Sequence, residues 1–335
     1  MRNVLFYIVT VAIWGSTWIA IKFQLGSVDP TLSVGYRFSL AALLLLLWCW
    51  VGRLPMRFSL VEHGFMLMQG VMLFSLNYLL FYLAEQQIAS GLAAVIFSTV
   101  LLMNMVNGAI FLKSPLDRKV MAGGMLGLSG IVLVFRPEIT SFTLNQGGLY
   151  GVFLSLFATY FASLGNILSA RNQKNNLPIV QTNAIGMGYG ALLMLGAAWL
   201  TGKPFLFDTS ASYILSLVYL AIFGSIIAFG CYLSLIGRIG ADRAAYATLL
   251  FPLVALAIST VWEDYHWTGS AAAGVLLILA GNLLMLRFRA HNSSHGNSLR
   301  LQQLSLYRRV HGDQSALSTP ALQPSDPYAH GAKRR

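Results

Sequence analysis

Two apolar runs toward the C-terminal end of the chain, Ala244–Trp262 and Trp267–Leu286, are each long enough to cross a membrane, and only a short acidic turn separates them. The same pattern occurs without a gap 151 residues earlier. The residues that coincide after this shift are Ala93 and Ala94 with Ala244 and Ala245, Gly123 with Gly274, and Gly130 with Gly281. Because an internal repeat constrains the architecture of the whole chain, we expect a duplicated bundle of membrane helices.

The composition excludes an ordinary soluble domain. Apolar residues make up 56% of the 335 residues and charged residues 10%, whereas soluble domains carry about 25% charged residues. The net charge of +11 does not indicate nucleic-acid binding, because the basic residues are scattered singly between apolar runs. Cys49 and Cys231 both lie inside apolar runs, so no disulfide framework is predicted.

Ten segments are predicted to be transmembrane helices, since about 20 apolar residues cross about 30 Å of hydrocarbon. They are residues 3–22, 32–51, 64–84, 91–112, 119–135, 148–170, 179–201, 212–236, 243–262 and 267–287. The first is interpreted as an uncleaved helix rather than a signal peptide, because it is longer than a signal-peptide core. Arg37 and Lys119 make the second and fifth the weakest segments. The fold class is therefore an all-α integral membrane protein.

The distribution of lysine and arginine predicts the orientation of the helices. Twelve basic residues lie on one set of loops and helix ends: Arg2, Arg53, Arg57, Lys113, Arg118, Lys119, Arg171, Lys174, Arg238, Arg243, Arg287 and Arg289. Four lie on the other set: Lys22, Arg37, Arg136 and Lys203. Because basic residues favour the cytoplasmic side, both termini are expected in the cytoplasm of a bacterial inner membrane.

Each repeat contains five helices, an odd number, so the second copy is expected to enter the membrane from the opposite side. The predicted parts are a first repeat (1–135), a periplasmic connection (136–147), a second repeat (148–287) and a disordered, basic cytoplasmic tail (288–335). Inverted repeats are typical of transporters, because two similar halves can rock about a central site. The alternative is a duplicated bundle that serves as a scaffold.

The chain resembles the EamA-type family of the drug/metabolite transporter superfamily over residues 3–287. The residues that carry the resemblance are Trp14-Gly15-Ser16-Thr17, Arg37, Ser90-Gly91-Leu92-Ala93-Ala94, Arg243-Ala244-Ala245, Pro252, Glu263, Trp267, Gly274 and Gly281-Asn282. The resemblance implies a carrier of small metabolites, often an exporter of amino acids, that needs no nucleotide. One departure is that the family's proline and glutamate, kept here as Pro252 and Glu263, are replaced in the first half by Leu101 and Leu112.

Polar side chains at membrane depth are candidates for the substrate site, because they are costly in lipid and usually face the interior of a bundle. The candidates are Trp14, Ser16, Thr17, Asn77, Tyr78, Tyr82, Ser98, Asn104, Asn107, Tyr160, Asn166, Tyr232 and Pro252. Asn104 and Asn107 are three residues apart and share a helix face. The alternative for each residue is a structural role, as an interhelical hydrogen bond, a packing contact or a static kink.

Three charged residues are candidates for coupling or ion pairing: Arg37, Glu85 and Glu263. Arg37 is expected to pair with an acid or to reach the membrane surface. No carboxylate occurs at the middle of a predicted helix. A proton relay through the centre is therefore not predicted, and facilitated diffusion or coupling at the periphery fits better.

Together these features predict an alternating-access carrier whose cavity, as the resemblance implies, is lined by helices 1, 3, 4, 6, 8 and 9. Neither an enzyme nor a cofactor is expected, since the sequence has no nucleotide-binding lysine loop, paired histidines or nucleophile elbow. The expected partners are a small-molecule substrate and membrane lipid, and glycine-rich faces on helices 5 and 7 allow a homodimer. Two alternatives stay open: an uptake permease, and a scaffold that acts through its C-terminal tail.

Overall fold

The computed structural model describes residues 2–88, 93, 96–116, 118–134, 136, 139, 146–251, 253, 254, 257, 268–281 and 284. Within these residues the secondary structure is helical, without β-strands. The helices are α1 (Arg2–Lys22), α2 (Pro30–Val51), α3 (Leu60–Glu85), α4 (Val100–Leu112), α5 (Arg118–Val134), α6 (Gln146–Lys174), α7 (Ile179–Leu200), α8 (Ala211–Ile239), α9 (Ala241–Ala244) and α10 (Gly269–Gly281). The predictions for Pro252, Glu263 and the 288–335 tail concern residues outside this set.

The bundle is built from helices that match the predicted membrane segments. Six of the described helices, α1, α2, α3, α6, α7 and α8, are long and apolar enough to cross a membrane, and α4, α5 and α10 are shorter apolar helices. Helix α7 packs against α2 and α3, α6 packs against α3 and α4, and α1 packs against α8. The prediction of an all-α membrane protein is confirmed.

The start of α2 is held by the side chain of Asp29. Its Oδ1 accepts a hydrogen bond of 2.9 Å from the backbone N–H of Thr31, and its Oδ2 lies 2.9 Å from Nζ of Lys203. Partial burial disfavours the carboxylate, but the bonds from Lys203 and Thr31 outweigh this effect and lower the pKa of Asp29. This contact therefore connects the start of α2 to the loop that follows α7.

Helices α3 and α8 each contain a π-helical segment, Met72–Leu76 in α3 and Leu220–Ile227 in α8. In each segment a serine hydroxyl donates to the carbonyl five residues earlier, Ser75 to Gly70 and Ser225 to Leu220. Such segments interrupt the regular i→i−4 bonding and are frequent near functional sites. Both of them lie next to residues that line the cavity described below.

Helices α5 and α10 cross at paired glycines. A Cβ atom added to Gly130 would lie 2.6 Å from the carbonyl oxygen of Gly274, and one added to Gly281 would lie 2.6 Å from that of Gly123. A shift of 151 residues places Gly130 on Gly281 and Gly123 on Gly274, so each of the two contacts is mapped onto the other. A two-fold relation between the halves produces such reciprocity, while the division of the chain at residues 135 and 148 stays a prediction.

The glycine-rich faces of the fifth and seventh helices are occupied inside the chain. Gly130 packs against α10, and a Cβ atom on Gly70 of α3 would collide with the carbonyl oxygen of Gly186 in α7. Gly190 of α7 also approaches Gly70. The homodimer stays a prediction.

Candidate substrate cavity

A cavity of about 70 Å³ lies within the bundle. Its lining residues are Trp14, Thr17, Trp18, Ile21, Leu73, Asn77, Tyr78, Phe81, Phe97, Ala162, Asn166, Phe229, Tyr232 and Phe251. They come from α1, α3, α6 and α8 and from segments next to α4 and α9. The structure thus brings six of the predicted site residues together: Trp14, Thr17, Asn77, Tyr78, Asn166 and Tyr232.

Trp14 is the centre of an aromatic wall. Its ring centroid lies 4.8 Å from that of Phe229, 4.9 Å from that of Tyr232 and 5.4 Å from that of Phe251. The indole Nε1–H donates a hydrogen bond of 2.9 Å to the carbonyl of Gly224, which lies in the π-helical segment of α8. Ring contacts and this bond together hold Trp14 in one orientation, which gives the cavity a rigid apolar side.

A layer of amide groups forms one end of the cavity. Nδ2 of Asn166 lies 3.4 Å from Oδ1 of Asn104 and 3.4 Å from the hydroxyl of Tyr232, and it donates to both. Asn104 in turn donates a hydrogen bond of 3.3 Å to the carbonyl of Ala241. These bonds are at the long end of hydrogen-bond geometry, so the layer is weakly held.

Asn104 also lines a second cavity, of about 70 Å³, next to the α8–α9 connection. Its other lining residues are Met105, Gly108, Leu112, Ser114, Pro115, Leu116, Ala170, Gly240, Ala241 and Asp242. Because Asn166 lines the central cavity and Asn104 lines this one, the bond between the two asparagines separates the two spaces.

Two residues that line the central cavity each carry a side-chain acceptor without a hydrogen-bond partner. The Oδ1 atoms of Asn77 and Asn166 are buried and unpaired, and both residues line the cavity. Unsatisfied buried acceptors are costly and uncommon in proteins. A ligand that donates hydrogen bonds would satisfy them.

Arg37 is buried behind the cavity wall rather than extended to the membrane surface. Its side chain is 1% exposed, and Nε donates a hydrogen bond of 3.0 Å to Oγ of Ser225. No carboxylate of the described residues lies within ion-pair distance. The expectation that Arg37 pairs with an acid or reaches the surface is therefore not met in this part of the chain, because α8 and the ring of Tyr78 enclose its head.

The other predicted residues that the structure describes lie outside the lining of the central cavity. Ser16 shares a 2.6 Å hydrogen bond with the hydroxyl of Tyr219, and Asn107 donates to Ser163 at 2.9 Å. The positions of the rest are as follows: Tyr82 and Ser98 are buried, Tyr160 is 40% exposed, and Glu85 has a buried Oε1 without a hydrogen-bond partner.

Several apolar lining residues were not anticipated from the sequence, namely Trp18, Ile21, Leu73, Phe81, Phe97, Ala162, Phe229 and Phe251. Helical spacing offers a signal for some of them, since Trp18 is four residues after Trp14 and Phe81 is four residues after Asn77. Among the described residues, no group of three histidine, cysteine or acidic side chains is arranged to hold a metal ion.

An apolar helical bundle with an internal cavity of aromatic and amide side chains defines a membrane transporter of small molecules. The EamA-like transporter family matches residues 1–136 and 149–287, and the chain belongs to this family.

Curated relatives cover most of the chain. The "Probable amino-acid metabolite efflux pump" of Salmonella typhimurium is 28% identical over 283 residues, which is 82% of this chain and 91% of the relative. "Protein PagO" of the same organism is 22% identical and matches 83% of this chain and 88% of its own length. The "Uncharacterized inner membrane transporter YedA" of Escherichia coli K12 is 29% identical, over 74% of this chain and 78% of the relative.

A crystal structure of a protein that is 17% identical has the same fold, with a TM-score of 0.70 over 84% of this chain and 95% of the other. At this identity the likeness concerns the fold alone. The ten-helix architecture of the family and the helices described above agree.

Proposed function

We propose that the protein is an inner-membrane carrier that exports amino acids or related small metabolites by alternating access. The observation that carries the proposal is the central cavity, whose lining combines aromatic rings with Asn77 and Asn166, two residues that each have a buried amide oxygen without a hydrogen-bond partner. Such a lining suits a solute with an apolar part and hydrogen-bond donors. The name of the Salmonella efflux pump, which the chain matches over 91% of its length, agrees with this substrate class and direction.

The amide layer of Asn104, Asn166 and Tyr232 serves as the gate on one side of the cavity. With both termini in the cytoplasm, the second cavity beyond Asn104 faces the cytoplasm, because the α8–α9 connection lies beside Arg238 and Arg243. Substrate would enter through the second cavity, and opening would break three long hydrogen bonds. Because these hydrogen bonds are long and weak, opening requires little free energy.

The driving force in this proposal acts away from the cavity centre. None of the described residues that line the cavity is acidic or basic. The described charged residues nearest in sequence to the lining are Lys22, directly after Ile21 at the end of α1, and Glu85, four residues after Phe81 at the end of α3. Facilitated diffusion or coupling at the periphery therefore remains the proposed mode.

Export is tested by profiling metabolites in the medium of cells that express the wild type, Asn166→Ala or an empty vector. Asn175→Ala is the matched control, since Asn175 is an exposed asparagine on the loop after α6. We expect compounds that only the wild type and the control release. If Asn166→Ala releases them equally, transport stands but the site is misplaced. If a correctly inserted wild type releases none, the export proposal fails.

The same experiment separates the two alternatives. If the protein is a carrier, deletion of residues 290–335 should leave export unchanged. If the intact protein shows no flux and this deletion abolishes its cellular function, the scaffold is favoured. Depletion of a compound from the medium, instead of enrichment, would favour an uptake permease.

A further inference from the structure

Arg37 holds a buried positive charge for which the described residues provide no negative partner. Nε is bonded to Ser225, while Nη1 is buried and has no hydrogen-bond partner. A lone buried charge is costly in a protein, and more so at membrane depth. In membrane proteins such charges commonly mark a substrate pathway or provide the counter-ion of a ligand.

The guanidinium lies one aromatic ring away from the cavity. Its Cζ atom is 4.5 Å from the centroid of Tyr78, which lines the cavity, and 5.3 Å from that of Phe38. The hydroxyl of Tyr82, one helical turn beyond Tyr78, is buried close to Arg37 but outside hydrogen-bonding geometry. The rings offset part of the cost of burial, and two hydrogen-bond donors, Nη1 and the Tyr82 hydroxyl, stay without an acceptor.

The cavity wall offers the opposite kind of group. The Oδ1 atoms of Asn77 and Asn166 are buried acceptors without donors, and both residues belong to a cavity lining that has no charged side chain among the described residues. Unpaired donors around Arg37 and unpaired acceptors on the two asparagines are complementary to a molecule that carries an anionic and a cationic group on a short frame.

We propose that the cavity recognises the zwitterionic head of an α-amino acid, with Arg37 binding the carboxylate and the amide oxygens of Asn77 and Asn166 accepting from the ammonium. This inference rests on the proposed function and adds to it the groups that select the substrate. A guanidinium suits the task because it binds a carboxylate through two parallel N–H donors.

Tyr78 has to turn aside for the carboxylate to reach Arg37. It lies in the first turn after the π-helical segment Met72–Leu76. Hydrogen bonding changes register there, which makes a local rearrangement of α3 easier than in a regular helix. The ring of Tyr78 thus separates the guanidinium from the cavity and has to move when a carboxylate arrives.

The test uses the purified full-length protein in liposomes loaded with an equimolar mixture of protein amino acids and their carboxamides. The carboxamides keep the ammonium group but lack the carboxylate. Efflux of every compound is followed by mass spectrometry for the wild type, Arg37→Gln, Arg37→Lys and Arg238→Gln. Arg238 is an exposed arginine near the end of α8 and serves as the matched control.

We expect wild type and Arg238→Gln to release the acids at least about tenfold faster than the amides, the preference that one charged hydrogen bond provides. Arg37→Gln should lose this preference. Arg37→Lys keeps the charge but lacks the planar guanidinium, so it should retain part of the preference for the acids. This variant also keeps the test valid if Arg37→Gln does not fold.

Three results would overturn the inference. Equal efflux of acids and amides by the wild type would show that the protein transports these compounds but does not recognise the carboxylate. If Arg37→Lys releases the acids and the amides more slowly by the same factor, so that the preference for the acids is unchanged, Arg37 has a structural role only. Absence of any efflux from correctly inserted wild type would refute the proposed carrier of amino acids and this inference with it.

Discussion

Ser75 and Ser225 make the same hydrogen bond in two different helices. Each hydroxyl donates, at 3.0 Å, to the carbonyl five residues earlier, Gly70 in α3 and Leu220 in α8. The two helices occupy corresponding places in the proposed repeats, and the serines are 150 residues apart. Ser75 also donates, at 2.8 Å, to the carbonyl of Val71. The difference in charged partners is that only Ser225 accepts from a guanidinium, through Nε of Arg37.

This difference predicts unequal costs for removing the two hydroxyls. Ser75→Ala should lower the free energy of unfolding by about 0.5–1.5 kcal/mol, the net value of a typical hydrogen bond. Ser225→Ala should cost about 1.5–3 kcal/mol more, because it also leaves the guanidinium of Arg37 without its acceptor. Thermal unfolding in detergent measures both. Equal losses would mean that the bond to Arg37 contributes nothing to stability.

The glycine contact between α5 and α10 predicts strong sensitivity to one methyl group. In Gly130→Ala the new Cβ atom would lie 2.6 Å from the carbonyl of Gly274 and 2.9 Å from the backbone nitrogen of Ile278, so the helices must separate. We expect a loss of about 1–3 kcal/mol, the usual cost of overpacking.

Gly196→Ala is the matched control, since a Cβ atom at Gly196 would have nothing within 4 Å. Alanine is favoured over glycine inside a helix by about 1 kcal/mol, so this variant should be as stable as the wild type or more stable. A Gly130→Ala protein that melts like the control would show that the two helices do not make this contact.

The helices could be predicted from the sequence because length and hydropathy decide whether a segment crosses a membrane. The predicted segments 32–51 and 179–201 agree with α2 (Pro30–Val51) and α7 (Ile179–Leu200) to within two residues at each end. The π-helical segments of α3 and α8 could not be predicted in this way. They depend on which carbonyls the neighbouring side chains bond, and a hydropathy profile carries no such information.

The cavity could be predicted only in part, because depth in the membrane does not tell which side of a helix faces inward. Asn166 and Tyr160 lie in the same helix, yet Asn166 lines the cavity and Tyr160 is 40% exposed. Choosing candidates by their polarity also does not identify apolar lining residues such as Phe229. Contacts between helices distant in sequence, such as the bond from Trp14 to Gly224 in α8, decide these positions.

The contact between Asp29 and Lys203 predicts a dependence of stability on pH. In Asp29→Asn the asparagine can still cap α2, so the variant removes mainly the attraction to Lys203. With side chains 23% and 44% exposed, the pair should contribute about 0.2–1 kcal/mol at neutral pH. The melting temperature of Asp29→Asn should be lower than that of the wild type by a corresponding amount.

The sign of the pH dependence follows from the lowered pKa of Asp29. Its contribution is complete above the unfolded pKa of about 3.9 and is lost as the pH falls through the lower pKa of the folded state. The gap in melting temperature between wild type and Asp29→Asn should thus be equal at pH 7 and 5 and should shrink below about pH 4. In a Lys203→Gln background the gap should be smaller at every pH. A gap that grows on acidification would contradict this account.

The amide layer predicts that Asn104 controls access to the central cavity. Asn104→Ala removes one bond to Asn166 and one to Ala241, which should favour opening by about 1 kcal/mol, or about fivefold. Asn107→Ala is the matched control, because Asn107 is also a buried asparagine of α4 but bonds to Ser163.

Opening is measured with a cysteine in place of Ala162, which lines the cavity, after Cys49 and Cys231 have been replaced by alanine. A membrane-impermeant thiol reagent is added to inside-out vesicles, whose outer surface is the cytoplasmic side. Labelling should be about fivefold faster with Asn104→Ala than without it, and Asn107→Ala should leave the rate unchanged. Equal rates in the two variants would show that the bonds of Asn104 do not close the cavity. Faster labelling only in right-side-out vesicles would place the gate on the opposite side and would reverse the orientation inferred from the basic residues.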